Sequence, residues 1–171
     1  FGRMLRFAVC RQIIRRSEYD HARRTEPARD VTRFEAGRDA YGEIDAFLAV
    51  GRFAFVGVST DRAKYGNKVL RCYLQHNLPA TGVHPRLGEV EGVRCVPRLT
   101  DVLGVPPAVS IVAPPAAAAG IVRDAIEKGI AHLWFQPGAE DAQAVATARA
   151  AGLSVIEGGP CVLVVLGYRE S

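Results

Sequence analysis

The chain has 171 residues, 49% of them hydrophobic, which is enough for one domain with a substantial core. No apolar run reaches the roughly 18 to 20 residues that a membrane-spanning helix needs, so no membrane span is predicted. The formal charge of +4 lies in residues 1–42, which hold ten arginines and six acids; residues 43–171 are neutral, and nucleic acid is not expected as the main partner.

Residues 1–42 are predicted to be a poorly ordered, arginine-rich arm preceding a domain at residues 43–171. Leu5, Val9 and Ile13 have helical spacing, but the polar stretch that follows contains Pro27 and has no sustained period. A basic amphipathic helix that touches an anionic surface is the alternative for this arm.

The cysteines and histidines form no metal-binding pattern. Cys10, Cys72, Cys95 and Cys161 make no C-x-x-C pair, and the four histidines make no H-x-x-x-H array, so no metal site is expected. The first stretch lacks the apolar region of a signal peptide. The cysteines are therefore predicted to be buried or free thiols of a cytoplasmic protein.

From residue 43 onward, apolar runs alternate with segments of helical period. The predicted elements are a helix at 43–50, a strand at 52–58, a helix at 67–77, a weaker strand at 79–85, a short helix at 99–103, a strand at 108–114, a helix with its apolar face at 118–126, a strand at 131–136, a helix at 139–151, a strand at 153–157 and a last short apolar segment at 161–166. The second helix is expected to carry Val69, Leu70, Tyr73 and Leu74 on its apolar stripe, and the apolar face of the later one includes Ile126.

This alternation predicts parallel β-α-β units and hence an α/β fold. The expected architecture is a Rossmann-like, doubly wound, mainly parallel sheet of five to six strands with helices on both faces. In such sheets, ligands bind outside the carboxyl ends of the strands, where the strand order reverses. The first strand, its loop and the next helix, "FAFVGVSTDRAKYGNK", occupy that position.

The composition of this loop suits phosphate. A glycine after the strand allows close backbone approach, and the amides of the next helix N-terminus attract anions. The residues that supply this chemistry are Gly57, Ser59, Thr60, Lys64, Gly66, Asn67 and Lys68. A full G-x-G-x-x-G is absent, which disfavours a standard NAD site. An ordinary strand-to-helix loop capped by Asn67 is the alternative.

The end of the second predicted strand separates the candidate nucleotides further. An NAD site places an acid there for the ribose hydroxyls, whereas this chain reads Val83, His84, Pro85, Arg86. Arg86 suits a ribose phosphate, which both NADP and coenzyme A carry. An exposed arginine without a ligand role is the alternative.

Residues 44–166 contain a series of short motifs that are typical of a known family. In order, the chain contains "VGVS", "YGNKV", "HP", "EVEGVRCVPRLTDV", "VAPP", "WFQPGAE" and "GGPCVLVVL". This series resembles the stand-alone bacterial CoA-binding domain proteins, which are similar to the N-terminal part of the succinyl-CoA synthetase alpha subunit. The family usually has Asn-Pro where this chain has His84-Pro85.

The resemblance implies a Rossmann-like fold that holds the nucleotide part of coenzyme A. The implied cofactor-binding residues are Gly57, Val58, Ser59 and Asn67 near the phosphates, Lys64 as a charge partner, Pro85 and Arg86 at the ribose edge, and Ala113, Pro114 and Pro115 along the pocket wall, with Lys68 beside them from the loop chemistry. The turn from Gln136 to Gly138 is expected to present an amide beside the same crevice.

The predicted function is non-catalytic binding of coenzyme A or an acyl-CoA. The related synthetase has a second domain with a phosphorylated histidine and a partner subunit that grasps nucleotide, and no room for either is expected before Ser171. The alternatives are an NADP-dependent oxidoreductase, although no tyrosine has a lysine four residues later, and a scaffold with a vestigial pocket.

Cys161, in "GGPCV", is the candidate nucleophile, because a thiol on a turn at a strand mouth can form a mixed disulfide with the pantetheine thiol. A buried apolar cysteine is the alternative. The expected partner is a small-molecule nucleotide cofactor. A homodimer or an unidentified protein partner is left open.

Overall fold

The structure is a computed structural model that describes residues 42–106 and 108–170, so the predicted arm lies outside the described residues apart from Gly42. The chain divides between residues 49 and 50 into two units. In the first unit, residues 42–49 form a helix, α1, on which Ile44, Phe47 and Leu48 are buried. Their spacing of three and four residues puts them on one face of the helix, as an amphipathic pattern requires.

The second unit alternates strands with helices. Its elements are β1 (Phe53–Val56), α2 (Tyr65–Gln75), β2 (Ala80–Val83), β3 (Glu89–Val90), β4 (Val93–Val96), a 3-10 helix (Leu99–Asp101), β5 (Ala108–Ile111), α3 (Pro115–Glu127), β6 (His132–Phe135), α4 (Ala142–Ala150), β7 (Ser154–Ile156) and α5 (Val162–Val165). Pro115 occupies the first turn of α3, where its missing N–H is no loss. Lys128 and Gly129 end that helix.

The strands form one sheet in the order β3-β4-β2-β1-β5-β6-β7. All neighbouring pairs are parallel except β3 and β4, which are antiparallel. The parallel strands, numbered among themselves, have the order 3-2-1-4-5-6 of a doubly wound Rossmann-like sheet. The strand order reverses beside β1, which pairs with β2 on one edge and with β5 on the other.

Alternate residues of β1 show that helices cover both faces of the sheet. The rings of Phe53 and Phe55 lie 5.1 and 6.3 Å from the ring of Tyr73 on α2. Ala54 and Val56 belong instead to the core cluster that contains the buried side chains of α3 and α4. All four β1 side chains are buried, which explains the continuous apolar run in the sequence.

The structure corrects the sequence prediction at several positions. The sheet has seven strands, because the unpredicted β3 and β4 form a hairpin around Glu91 and Gly92, both at positive φ. The segment 161–166 contains a short helix. Leu74 and Ile126, placed on apolar helix faces by the sequence, are 38% and 39% exposed. None of the described helices is long and apolar enough to cross a membrane.

Candidate functional site

A cleft of about 910 Å³ opens at the carboxyl ends of β1 and β5, where the strand order reverses. Its lining comes chiefly from the loops after β1, β2, β4 and β5, from the start of α2 and from one side of α3 as far as Asp124. Volumes of this order are typical of small-molecule sites. The fold thus places a ligand-sized cleft at the position where open parallel sheets bind their ligands.

Two glycines bring separate backbone segments together at the floor of the cleft. Gly57 has φ +97°, and a Cβ there would lie 2.9 Å from the amide nitrogen of Ala113 in the loop after β5. A Cβ on Gly66, in the first turn of α2, would meet the carbonyl oxygen of Gly57. The loop after β1, the loop after β5 and α2 therefore pack backbone against backbone, which only glycine permits.

Both helices that begin at the cleft have N-termini without side-chain caps. Lys64 occupies the N-cap position of α2 and Pro114 that of α3, and neither helix has an acid in its first turn. Lys64, Tyr65 and Gly66 of α2 line the cleft, as do Pro114 and Ala117 at the start of α3. A helix N-terminus carries partial positive charge, and its first amides have no acceptor four residues back within the helix. In the first turns of these two helices, only the amides of Asn67 and Ala117 donate to N-cap carbonyls, those of Lys64 and Pro114, and Pro115 has no N–H. The cleft therefore suits an anionic group.

The charged side chains of the lining add to this positive character. Arg98 pairs with Asp124 at 3.0 Å, whereas Lys64 and Arg123 form no ion pair with another described residue. His84 also lines the cleft, and burial together with the charge of Arg86 lowers its pKa. The imidazole is accordingly neutral near pH 7, and its Nδ1 accepts a hydrogen bond from the Arg86 amide at 3.2 Å.

The structure places eight of the sequence-predicted binding residues in the lining: Gly57, Val58, Ser59, Lys64, Gly66, Pro85, Ala113 and Pro114. The seven others lie outside the lining: Thr60, Asn67, Lys68, Arg86, Pro115, Gln136 and Gly138.

Three residues of this second group, Asn67, Lys68 and Gln136, have side chains that are bound by other residues. Asn67 is the third residue of α2 rather than its cap; its side chain is buried, and its amide donates to the carbonyl of Ser59 at 2.8 Å. Lys68 pairs with Glu170 at 3.1 Å. Gln136 is buried rather than beside the crevice, and its Oε1 accepts from the Val162 amide at 2.9 Å.

Arg86, Pro115 and Gly138, also of this second group, lie at a loop, at a helix start and at a turn. Arg86 is exposed, and its backbone amide donates to His84 rather than to a ligand position. Pro115 is the first residue of α3. Gly138 adopts φ +87° in an exposed turn, where its amide donates to Glu140 at 2.7 Å.

Several lining residues were missed by sequence reasoning. Tyr65 is one: its hydroxyl lies 2.7 Å from the Cys161 sulfur and 3.4 Å from Oε1 of Gln136. Burial and the neighbouring Cys161 raise the pKa of Tyr65, so this hydroxyl stays protonated. Arg123 and Asp124 were also missed, although their position beside Ile121 on the cleft side of α3 is a signal that helical period carries.

In the part of the chain that is described, no group of three or more histidine, cysteine, aspartate or glutamate side chains is placed to hold a metal ion. The cleft instead offers backbone amides, cationic side chains and apolar walls. This set fits the phosphates and the apolar parts of a nucleotide cofactor.

A Rossmann-like sheet with a cleft at its switch point is the architecture in which open parallel sheets bind their ligands. The chain belongs to the CoA binding domain family, whose model matches residues 51–167. No curated protein matches the sequence.

Solved structures agree with this assignment. A conserved hypothetical protein from Pyrococcus furiosus is 32% identical, with a TM-score of 0.63 over 66% of this chain and 97% of that one. A hypothetical protein from Pyrococcus horikoshii is 25% identical, with a TM-score of 0.70 over 82% and 95% of the two chains. The dinucleotide-forming acetyl-coenzyme A synthetase 1 of Ca. Korarchaeum cryptofilum, 24% identical, shares the fold with a TM-score of 0.55 over 61% of this chain and 25% of its own.

Proposed function

We propose that this domain binds coenzyme A or an acyl-CoA in the cleft, chiefly through the loop after β1, and does so without catalysing a reaction. The observation that carries the proposal is the convergence of two uncapped helix N-termini on a cleft within the family-matched residues. Such amides stabilise phosphate. The bound cofactor would make the protein a carrier, a sensor or a subunit of a larger assembly, and the free thiols at Cys72, Cys95 and Cys161 fit a reducing compartment such as the cytoplasm.

Each wall of the cleft has a role in this proposal. The turn from Gly57 to Ser59 and the first turn of α2 hold the phosphates, with Lys64 as their counter-charge. Pro85 and Arg86 stand at the ribose edge, where the exposed guanidinium of Arg86 reaches the ribose phosphate from outside the lining. Ala113 and Pro114 form the apolar wall along which the rest of the cofactor lies.

The residues that follow β2 favour coenzyme A over NAD. Neutral His84 and Pro85 line the cleft there, and no carboxylate follows β2 until Glu89. An NAD site uses an acid at this position for the ribose hydroxyls. A ribose that carries a phosphate would be repelled by such an acid, so its replacement by an uncharged imidazole favours the phosphorylated ribose.

Lys64→Met is expected to raise the Kd for coenzyme A about tenfold, because a hydrogen bond to a charged group contributes roughly 1.5 to 3 kcal/mol. Isothermal titration calorimetry of the full chain measures this. Arg94→Met is the control, since it also removes one positive charge from an exposed position outside the lining and should leave the Kd unchanged. Equal effects of the two variants would refute a specific role for Lys64.

We further propose that Cys161 exchanges with coenzyme A disulfide. Cys161 is half-buried and lies outside the lining of the cleft, but its sulfur is 2.7 Å from the hydroxyl of Tyr65, which lines it. In the exchange, the Cys161 thiolate attacks one disulfide sulfur, the bond between the two coenzyme A sulfurs breaks, and the departing coenzyme A thiolate takes up the proton that Cys161 released. Cys72 is buried, and burial together with Cys161 raises its pKa to about 12, so it stays a thiol.

Incubation with coenzyme A disulfide is expected to add one coenzyme A to the protein by intact mass, and peptide mapping should locate it on Cys161. Cys161→Ser should abolish this adduct, and Cys10→Ser, which removes the thiol outside the described residues, should retain it. Tyr65→Phe should slow its formation by removing the hydrogen-bonded hydroxyl. Unmodified wild-type protein, or an adduct that survives Cys161→Ser, would eliminate this role.

A further inference from the structure

Asn67 is held by three hydrogen bonds behind the loop after β1. Its Nδ2 donates to the carbonyl oxygen of Ser59 at 2.8 Å and to Oε1 of Glu91 at 3.0 Å, and its Oδ1 accepts from Nε of Arg71 at 2.9 Å. The side chain is fully buried. A buried amide is tolerated only when its donors and acceptor are satisfied, as they are here.

Arg71 extends this network along the same loop. Its side chain is 5% exposed, and Nη2 donates to the carbonyl oxygen of Arg62 at 3.2 Å and to Oε1 of Glu170 at 3.2 Å. The guanidinium also lies 5.4 Å from the centre of the Tyr168 ring. A buried charge costs several kcal/mol of desolvation unless it is paired and hydrogen-bonded, so these contacts are what make the position tolerable.

Glu91 on the β3–β4 hairpin connects the two ends of this network, because it binds both Asn67 and Arg62. Glu91 accepts from Nε of Arg62 at 3.1 Å as well as from Asn67. The hydrogen bond from Asn67 and the charge of Arg62 lower the pKa of Glu91, so it is ionised at neutral pH. Two loop carbonyls and one loop side chain are thus tied to α2 and to the hairpin.

We infer that Asn67 and Arg71 are positioning residues that hold the loop after β1 in the shape its ligand requires. This inference rests on the proposed function. Apolar side chains of similar size would fill the same space at less desolvation cost, so the polar network is not explained by core stability alone. What it adds is a fixed conformation for residues 59–62, which reduces the ordering cost of binding.

The test combines amide hydrogen exchange of residues 57–64 with the Kd for coenzyme A, both measured on the full chain well below its unfolding temperature. Asn67→Leu and Arg71→Met remove the network. Gln75→Met is the matched control: Gln75 lies on the same helix and binds Arg169 of the same C-terminal segment through bonds of 2.6 and 3.1 Å, without contact to the loop.

Both network variants are expected to exchange the loop amides at least about tenfold faster and to raise the Kd about tenfold, with exchange in β5 and β6 unchanged. Gln75→Met should match the wild type in both measurements. Unchanged loop exchange in folded Asn67→Leu, or faster exchange with an unchanged Kd, would overturn the inference.

If Asn67→Leu does not fold, Glu91→Gln replaces it in the same test. Glutamine at position 91 keeps an acceptor for Asn67 and removes only the charge that pairs with Arg62. A smaller acceleration of loop exchange is then expected, and no acceleration would count against the network. If the wild type does not bind coenzyme A, the proposed function fails, while the exchange measurements still decide whether the network holds the loop.

Discussion

Gly66→Ala is expected to lower the free energy of unfolding by about 2 to 3 kcal/mol and to weaken coenzyme A binding more than about tenfold. The added Cβ would meet the carbonyl oxygen of Gly57, which belongs to a different backbone segment. Relief of that overlap requires α2 to move away from the loop after β1. Because both segments line the cleft, their backbone amides would move apart there.

Urea unfolding followed by circular dichroism, together with calorimetric titration, measures both effects. Gly120→Ala is the control for stability: Gly120 also lies in a helix, but its added Cβ would approach only a guanidinium nitrogen of Arg123, at 3.8 Å. A helical glycine replaced by alanine without a clash should gain about 0.5 to 1 kcal/mol. A Gly66→Ala protein as stable as the wild type would show that the close approach of the two backbones is not real.

Gln136→Leu is expected to cost about 2 to 4 kcal/mol of unfolding free energy, because it leaves buried partners without hydrogen bonds. Oε1 of Gln136 accepts from the amide of Val162 at 2.9 Å, and Nε2 lies 3.4 Å from the hydroxyl of Ser110. Both Val162 and Ser110 are fully buried, so water does not replace the lost partner. Leucine keeps the volume and removes only the polar atoms.

The same unfolding experiment tests this variant, with Gln143→Leu as the control on the exposed side of α4. The control should change stability by less than about 0.5 kcal/mol. Hydrogen exchange of the Val162 amide should also accelerate in Gln136→Leu. A loss no larger than that of the control would mean that Gln136 is not the acceptor that fixes α5.

Much of the fold was predictable because apolar runs and helical periods were long. The buried run of β1 and the stripe of Ala118, Val122 and Ala125 on α3 gave unambiguous signals. The β3–β4 hairpin gave no comparable sequence signal, because β3 has only two residues. The first turn residue at positive φ is Glu91, where a glycine would have been easier to recognise. The apolar segment at 161–166 was too short for its period to distinguish a strand from the helix that it forms.

The candidate site was predictable where backbone position alone decides it. Gly57, Ala113 and Pro114 follow the two strands at which the order reverses, so their place in the lining follows from topology. Helical residues differ, because the direction of a side chain depends on the phase of the helix and on its neighbours. Asn67 turns toward Ser59 and Glu91 for this reason, and Lys68 turns toward Glu170, a residue distant in sequence.

The most direct test of the central claim is calorimetric titration of the full chain with coenzyme A, dephospho-coenzyme A and NADP at one salt concentration. Coenzyme A is expected to bind most tightly, and loss of its ribose phosphate is expected to weaken binding. Tightest binding of NADP would favour an oxidoreductase. No detectable binding of any of the three would favour a scaffold. Either result would contradict the assignment of this cleft to coenzyme A.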